Sequence, residues 1–213
     1  MESPSLFSKI APLSTDESGL HPALVFLHGR GTDENDLLEL TTYFDPQLLI
    51  ASVRAPNRFP YGGYTWFDLD ESGIVNIDQL IKSRDVFLQW LDDFQQNYPV
   101  DSSRLFLFGF SMGAMMSLAI SLSNPPRFKG IIAHSGFLPQ HERLSYRWND
   151  LGALSFFIAH GEQDPIVPIE LARKAHRLLL QVNANIVYRE YPIQHTISNE
   201  SLSDISTWLQ QQI

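Results

Sequence analysis

The chain contains no cysteine, so disulfides, thiolate metal sites and a cysteine nucleophile are excluded at once, and a positive argument for secretion goes with them. Basic residues are scarce: 15 Lys and Arg stand against 24 Asp and Glu, a net charge of −9, with no basic cluster. Nucleic-acid binding draws its affinity from phosphate neutralisation, and this charge balance excludes it as the working class. The same balance argues against an anionic membrane surface. No run approaches the roughly 20 apolar residues of a membrane span. Met1 to Ile10 holds one Lys and no apolar core, so no signal peptide is read there. The expectation is a soluble cytoplasmic protein without stable membrane association. Repeats and low-complexity tracts are missing too. What is present is ample apolar material: 44% of 213 residues are hydrophobic and 18% charged. That excludes disorder as the dominant state, and a chain of this length buries roughly 70% of its extended surface.

Short β-rich apolar runs alternate with stretches of helical period. Leu24–Leu27, Leu48–Val53, Arg104–Phe108, Gly130–His134, Leu154–His160 and Asn185–Tyr191 read as strands. Their near-continuous apolarity indicates burial on both faces, as in a parallel sheet. Helices are expected over 76–97, 34–44 behind Asp33 as N-cap, 112–123, 168–182 starting at Pro168, and 199–212 behind Ser198. In the first of these, Ile77, Leu80, Ile81, Phe87, Leu88, Leu91 and Phe94 share a face that Arg84 interrupts. The alternation implies one α/β domain over 1–213, a mostly parallel central sheet with helices on both faces, and an N-terminal strand or extension over 1–20. The 135–153 stretch is too short for a cap domain. The longest irregular segment, Ala55–Val75, is aromatic enough to be packed.

Gly109-Phe110-Ser111-Met112-Gly113 is a G-x-S-x-G elbow between an apolar strand and a helical pattern, the context that makes a serine nucleophilic. The chain order of such sites is Ser, then Asp or Glu, then His. His195 lies in a loop after the sixth strand, where open sheets place their sites, whereas His176 reads as an exposed residue of the 168–182 helix. Asp164, stiffened by Pro165 and Pro168, is the candidate acid, with Glu162 and Glu170 as alternatives. Two backbone N–H donors are expected for an oxyanion, from Met112 and from Arg30 in Leu27-His28-Gly29-Arg30-Gly31, with Gly29 the less favoured donor. His28, His134 and His160 read as bracing residues. No metal or cofactor is needed.

These motifs, with His160-Gly161-Glu162-Gln163-Asp164-Pro165-Ile166-Val167-Pro168 and Tyr61-Gly62-Gly63-Tyr64-Thr65-Trp66-Phe67-Asp68, resemble the phospholipase/carboxylesterase family of α/β-hydrolases, which includes the acyl-protein thioesterases. The resemblance runs from about Leu24 to the C-terminus. It implies a lidless hydrolase of carboxylic esters or thioesters with a triad on Ser111, Asp164 and His195, and allows a homodimer. One position departs: Gln194 stands where the family usually has Gly.

The reading is a serine hydrolase of small-molecule carboxylic esters that forms an acyl-enzyme. A thioesterase or lysophospholipase on the same triad, a small serine peptidase, and a binding module that has lost the chemistry are the alternatives. The long loop should wall the site. Tyr61 and Tyr64 flank two glycines and are the favoured wall residues; Trp66 and Phe67 are divided evenly between wall and anchor. A shallow aromatic wall favours short to medium acyl chains, since each buried CH₂ adds only about 0.8 kcal/mol.

Overall fold

A computed structural model describes residues 6–11 and 19–213. Of the N-terminal extension expected over 1–20, residues 1–5 and 12–18 lie outside the described residues. Seven strands form the central sheet: β1 (Ser8–Ile10), β2 (His21–Leu27), β3 (Leu49–Val53), β6 (Val100–Phe110), β7 (Gly130–His134), β8 (Ser155–Gly161) and β9 (Asn185–Tyr191). Their spatial order is β1-β3-β2-β6-β7-β8-β9. Every pairing is parallel except that of β1 with β3. A separate two-stranded ribbon pairs β4 (Asn57–Arg58) with β5 (Tyr64–Thr65) inside the long loop.

The apolar runs are continuous because the sheet buries both faces. Val25, Leu27, Leu105 and Leu107 point into one core, shared with α1 (Ile77–Asn97), α2 (Met112–Ser123) and α3 (Ile169–Gln181). Leu24, Phe26, Phe106 and Phe108, which alternate with them, point into a second core under α4 (Asn199–Gln210). Full burial of each such side chain is worth about 1.5–3 kcal/mol. Residues 135–153 hold loops and a short 3-10 turn at Trp148–Asp150, so the carboxyl ends of the strands are not roofed by an inserted domain. Among the described residues, no helix is long and apolar enough to cross a membrane.

Several boundaries differ from the expected ones. The β2 strand starts at His21, and its register with β6 shifts between His21 and Ala23, where Pro22 has no N–H to give the ladder. The β6 strand reaches back through polar Asp101, Ser102 and Ser103, which no periodicity could separate from a turn. The helix expected over 34–44 is only a 3-10 turn, Leu38–Tyr43. Asp33 does not cap it; its Oδ1 accepts instead from the Asn35 backbone and side-chain amides at 2.9 Å. Thr41 turns its hydroxyl back onto the Leu38 carbonyl at 2.8 Å, which suits the tighter winding. Pro168 is the N-cap residue of α3 rather than part of its first turn.

On α1 the expected inner residues Leu80, Phe87, Leu91 and Phe94 are buried, joined by Trp90. The polar residue of that face is Ser83, whose Oγ donates to the Trp66 carbonyl at 2.5 Å; Arg84 pairs outside with Asp85. Trp66 begins a run of touching rings. Its centroid is 6.2 Å from Phe87, which is 5.5 Å from Trp90, which is 5.1 Å from a nearly parallel Phe94.

Candidate active site

The β6 strand delivers Ser111 and α2 leaves from it. Ser111 sits at φ 55° and ψ −117°, a conformation few L-residues adopt. Three contacts hold it there. Its N–H donates to the His134 carbonyl at the end of β7 (2.8 Å), and its own carbonyl accepts from the amides of Ala114 and Met115. The flanking glycines are a steric requirement. A Cβ at Gly109 would collide with the Gly113 carbonyl, and one at Gly113 with the carbonyl of Leu27. The elbow is closed against β2 on one side and its own helix on the other.

The structure brings together Ser111, His195 and Asp164. His195 Nε2 lies 2.9 Å from Ser111 Oγ, and Nδ1 lies 2.7 Å from Asp164 Oδ2. An ionised carboxylate only accepts, so Nδ1 carries the proton and Nε2 is the free base facing the serine. Asp164 Oδ1 accepts from the backbone amides of Ile166 (2.8 Å) and Val167 (2.9 Å). Burial pushes the Asp164 carboxyl up, but the His195 bond and the two amides outweigh it, and the group stays below the usual carboxylate range. The Phe110 ring packs 5.1 Å from the His195 ring. Gln194 is outside the left-handed region and its side chain is exposed, so this loop has no need of the family's glycine.

The alternatives fall elsewhere. Glu170 bonds Arg173 on α3. His176 is half-buried rather than exposed, because its ring stacks on Tyr188 at 4.4 Å. Three buried histidines brace the site. His28 Nε2 accepts from the Ala55 amide at 3.0 Å, so its Nδ1 donates to the Gly29 carbonyl at 2.7 Å. His134 bridges Ser135 and Ser201 at 3.0 and 3.1 Å, and burial lowers its pKa to about 3. Burial also lowers those of His28 and His160.

The Gly29–Gly31 turn borders the serine: a Cβ at Gly29 would be in ordinary contact with the Ser111 Cβ at 3.6 Å. Gly31 N–H is committed to the Tyr64 carbonyl and Ser111 N–H to that of His134. The neighbouring amides of Arg30 and Met112 have no such commitment among the described residues.

A cleft of about 630 Å³ opens beside Ser111. Its lining is apolar at Met115, Phe137, Ile166, Val167, Pro168 and Leu171, includes Leu69, Ser72 and Gly73 of the long loop, and is polar at Arg30, Thr32 and Asp36. The four aromatic residues expected as pocket walls do not line it. Trp66 and Phe67 are fully buried in the core, with the indole N–H bonded to the His28 carbonyl at 3.0 Å. Tyr64 is clamped by Arg54, which lies over its ring at 4.6 Å and also grips Glu34 with two bonds of 2.6 and 2.7 Å. Tyr61 projects into solvent at 91% exposure. The missed wall residues Ile166 and Leu171 had one usable signal: they follow Asp164 on the segment leaving the carboxyl end of β8.

A sequence profile described as phospholipase/carboxylesterase matches residues 11–213. Acyl-protein thioesterase 1 of Candida albicans is 26% identical over 212 residues, covering 88% of this chain and 90% of that one. The protein of the same name from Gibberella zeae is 27% identical, with 96% and 97% covered. Among solved structures, the Bacillus cereus carboxylesterase superposes with a TM-score of 0.86 at 23% identity, over 98% of this chain and 95% of that one. Esterase PE8 gives 0.86 at 25% identity, over 99% and 100%.

Proposed function

The chain belongs to the phospholipase/carboxylesterase family and is a hydrolase of carboxylic esters, and we propose that it works through Ser111, His195 and Asp164 by way of an acyl-enzyme. The observation that carries this reading is the continuous relay from Ser111 Oγ through both nitrogens of one imidazole to a buried carboxylate, at 2.9 and 2.7 Å. Ser111 Oγ attacks the ester carbonyl while Nε2 of His195 takes its proton. The tetrahedral oxyanion forms against the amides of Met112 and Arg30, at the positive end of α2. The imidazolium, steadied by Asp164, then returns the proton to the leaving alkoxide. Water, activated by the same imidazole, releases the acid. The acyl chain lies along the apolar wall of Met115, Phe137, Ile166 and Leu171. Each buried CH₂ adds only about 0.8 kcal/mol, so this reading favours short to medium chains.

A second reading has its own support: the relatives from Candida albicans and Gibberella zeae bear the name acyl-protein thioesterase. Thioesters use the same relay, and parallel kcat/KM values on O-octanoyl and S-octanoyl esters decide between them. In the first reading the substrate is a small ester, and in both the chain works in the cytoplasm, which cell fractionation checks. The test of the chemistry is labelling with a fluorophosphonate followed by peptide mapping. The label is expected on Ser111, and Ser111→Ala is expected to lose several orders of magnitude in turnover of a p-nitrophenyl ester with the fold intact. Turnover by that variant within tenfold of wild type would overturn the assignment.

A further inference from the structure

His160 is the last residue but one of β8, with its side chain wholly buried, and the relay just described does not use it. Its Nε2 lies 2.8 Å from the Val167 carbonyl oxygen and 3.4 Å from Oδ2 of Asp164. Both oxygens are acceptors, so Nε2 carries the proton and donates. Nδ1 is then a bare lone pair, and it meets no donor among the described residues. An orphaned buried acceptor destabilises a fold, and native structures keep few of them. A ring there for bulk alone would be better replaced by an apolar one.

The contacts form a closed circuit. Val167 accepts from His160 through its carbonyl and donates its N–H to Oδ1 of Asp164. Ile166 N–H fills the rest of Oδ1. Oδ2 is left to His195 Nδ1 at 2.7 Å, with the His160 N–H alongside. Flipping the His160 tautomer would set a lone pair against two oxygens, so the proton is locked on Nε2.

We infer that His160 is a positioning residue: by anchoring the Val167 carbonyl it fixes the residue whose own N–H holds Oδ1, and so keeps the Asp164 carboxylate aimed at Nδ1 of His195. The inference rests on the proposed roles of Asp164 and His195. Misplacing that carboxylate lowers the rate of the chemical step and leaves substrate binding nearly untouched.

Three variants separate donation from packing. His160→Gln places an N–H close to where Nε2 stood. His160→Asn falls a carbon short of Val167, and His160→Leu fills the space and donates nothing. His160→Gln is expected to keep kcat within about fivefold of wild type, while the Asn and Leu variants lose about 30-fold or more with KM within threefold. In wild type, ¹⁵N NMR is expected to show the His160 ring protonated on Nε2 alone. The downfield proton between His195 and Asp164 is expected to persist in the Gln variant and to move in the Leu variant. The opposite tautomer, or equal kcat in all three variants, would overturn the inference; if the Asn and Leu proteins fail to fold, the wild-type tautomer and the Gln spectrum still decide it. Wild type labelled at Ser111 with normal kcat in His160→Leu sinks this inference alone. Wild type that takes no label sinks the proposed function and this inference together.

Discussion

The two halves of the site are held by different forces. Around Ser111 the restraint is steric: the elbow is wedged between β2 and α2 with no room for a methyl group at Gly109 or Gly113. Around Asp164 and His195 it is polar: two amides grip one carboxylate oxygen, an imidazole holds the other, and further buried histidines brace the strands beneath. A steric wedge tolerates no added atom and is indifferent to pH. A hydrogen-bonded cradle tolerates changes of size better but depends on which groups carry protons. The proposed nucleophile Ser111, whose backbone is strained, has the first kind; Asp164 and His195, the proposed carriers of the proton relay, have the second.

The contrast can be broken most severely at Gly113. Gly113→Ala drives a methyl group into the Leu27 carbonyl, and more than about 4 kcal/mol of stability is expected to go, read as loss of soluble protein or a lowered urea midpoint. A stable and active Gly113→Ala protein would refute the steric account. On the polar side the fold is expected to survive what the chemistry does not. His195→Ala should lose about 10³-fold or more in kcat/KM with Tm nearly unchanged, whereas His176→Ala, on its Tyr188 stack, stays within twofold on the same ester assay.

Acid sharpens the comparison further. His28, His134 and His160 are buried neutral, with pKa values below the roughly 6.5 of an unfolded chain. Below that pH the unfolded chain binds more protons than the folded one, so stability is full above it and falls as pH falls. For His134 the fall continues to about pH 3. Each such group costs up to about 1.4 kcal/mol per pH unit inside its window. Asp164, also depressed, adds its own loss only below the usual carboxylate range near 4. Urea midpoints from pH 7.5 to 4.5 should therefore decline steadily; a flat profile would mean that the cradle does not depend on neutral histidines. The smallest effect is expected at the cleft wall. Leu171→Ala should raise KM for a medium-chain ester about 3- to 10-fold, while Tyr61→Ala changes it less than twofold, and the reverse order would restore Tyr61 as a wall residue.

The steric half was the legible half. A glycine two residues either side of a serine, between a strand and a helix, states its own reason, and the strands Gly130–His134 and Asn185–Tyr191 have the bounds their composition implied. Ser111, Asp164 and His195, which the structure brings together, could be grouped in advance because chain order and loop position constrain them. The pocket could not be found that way. Aromatic character does not say which way a ring points: Trp66 turned inward to a buried carbonyl, and the wall fell to Ile166 and Leu171, ordinary aliphatic residues on the far side of Asp164. The antiparallel β1 strand falls within the strand or extension expected over 1–20, but its bounds and direction could not be read, since Ser-Lys-Ile is too short and polar to carry a period.

The neighbouring rings that run from Trp66 along α1 have a consequence of an optical kind. Trp66 is fully buried and bonded to the carbonyl of His28, at the base of the turn that borders Ser111, and Phe87 separates it from Trp90. Its emission belongs to a dry indole, and the near-parallel Trp90–Phe94 pair fixes the asymmetry that near-ultraviolet dichroism detects. The molecule thus carries its own unlabelled gauge of the segment beneath the serine, able to follow loosening there in real time while the sheet remains intact.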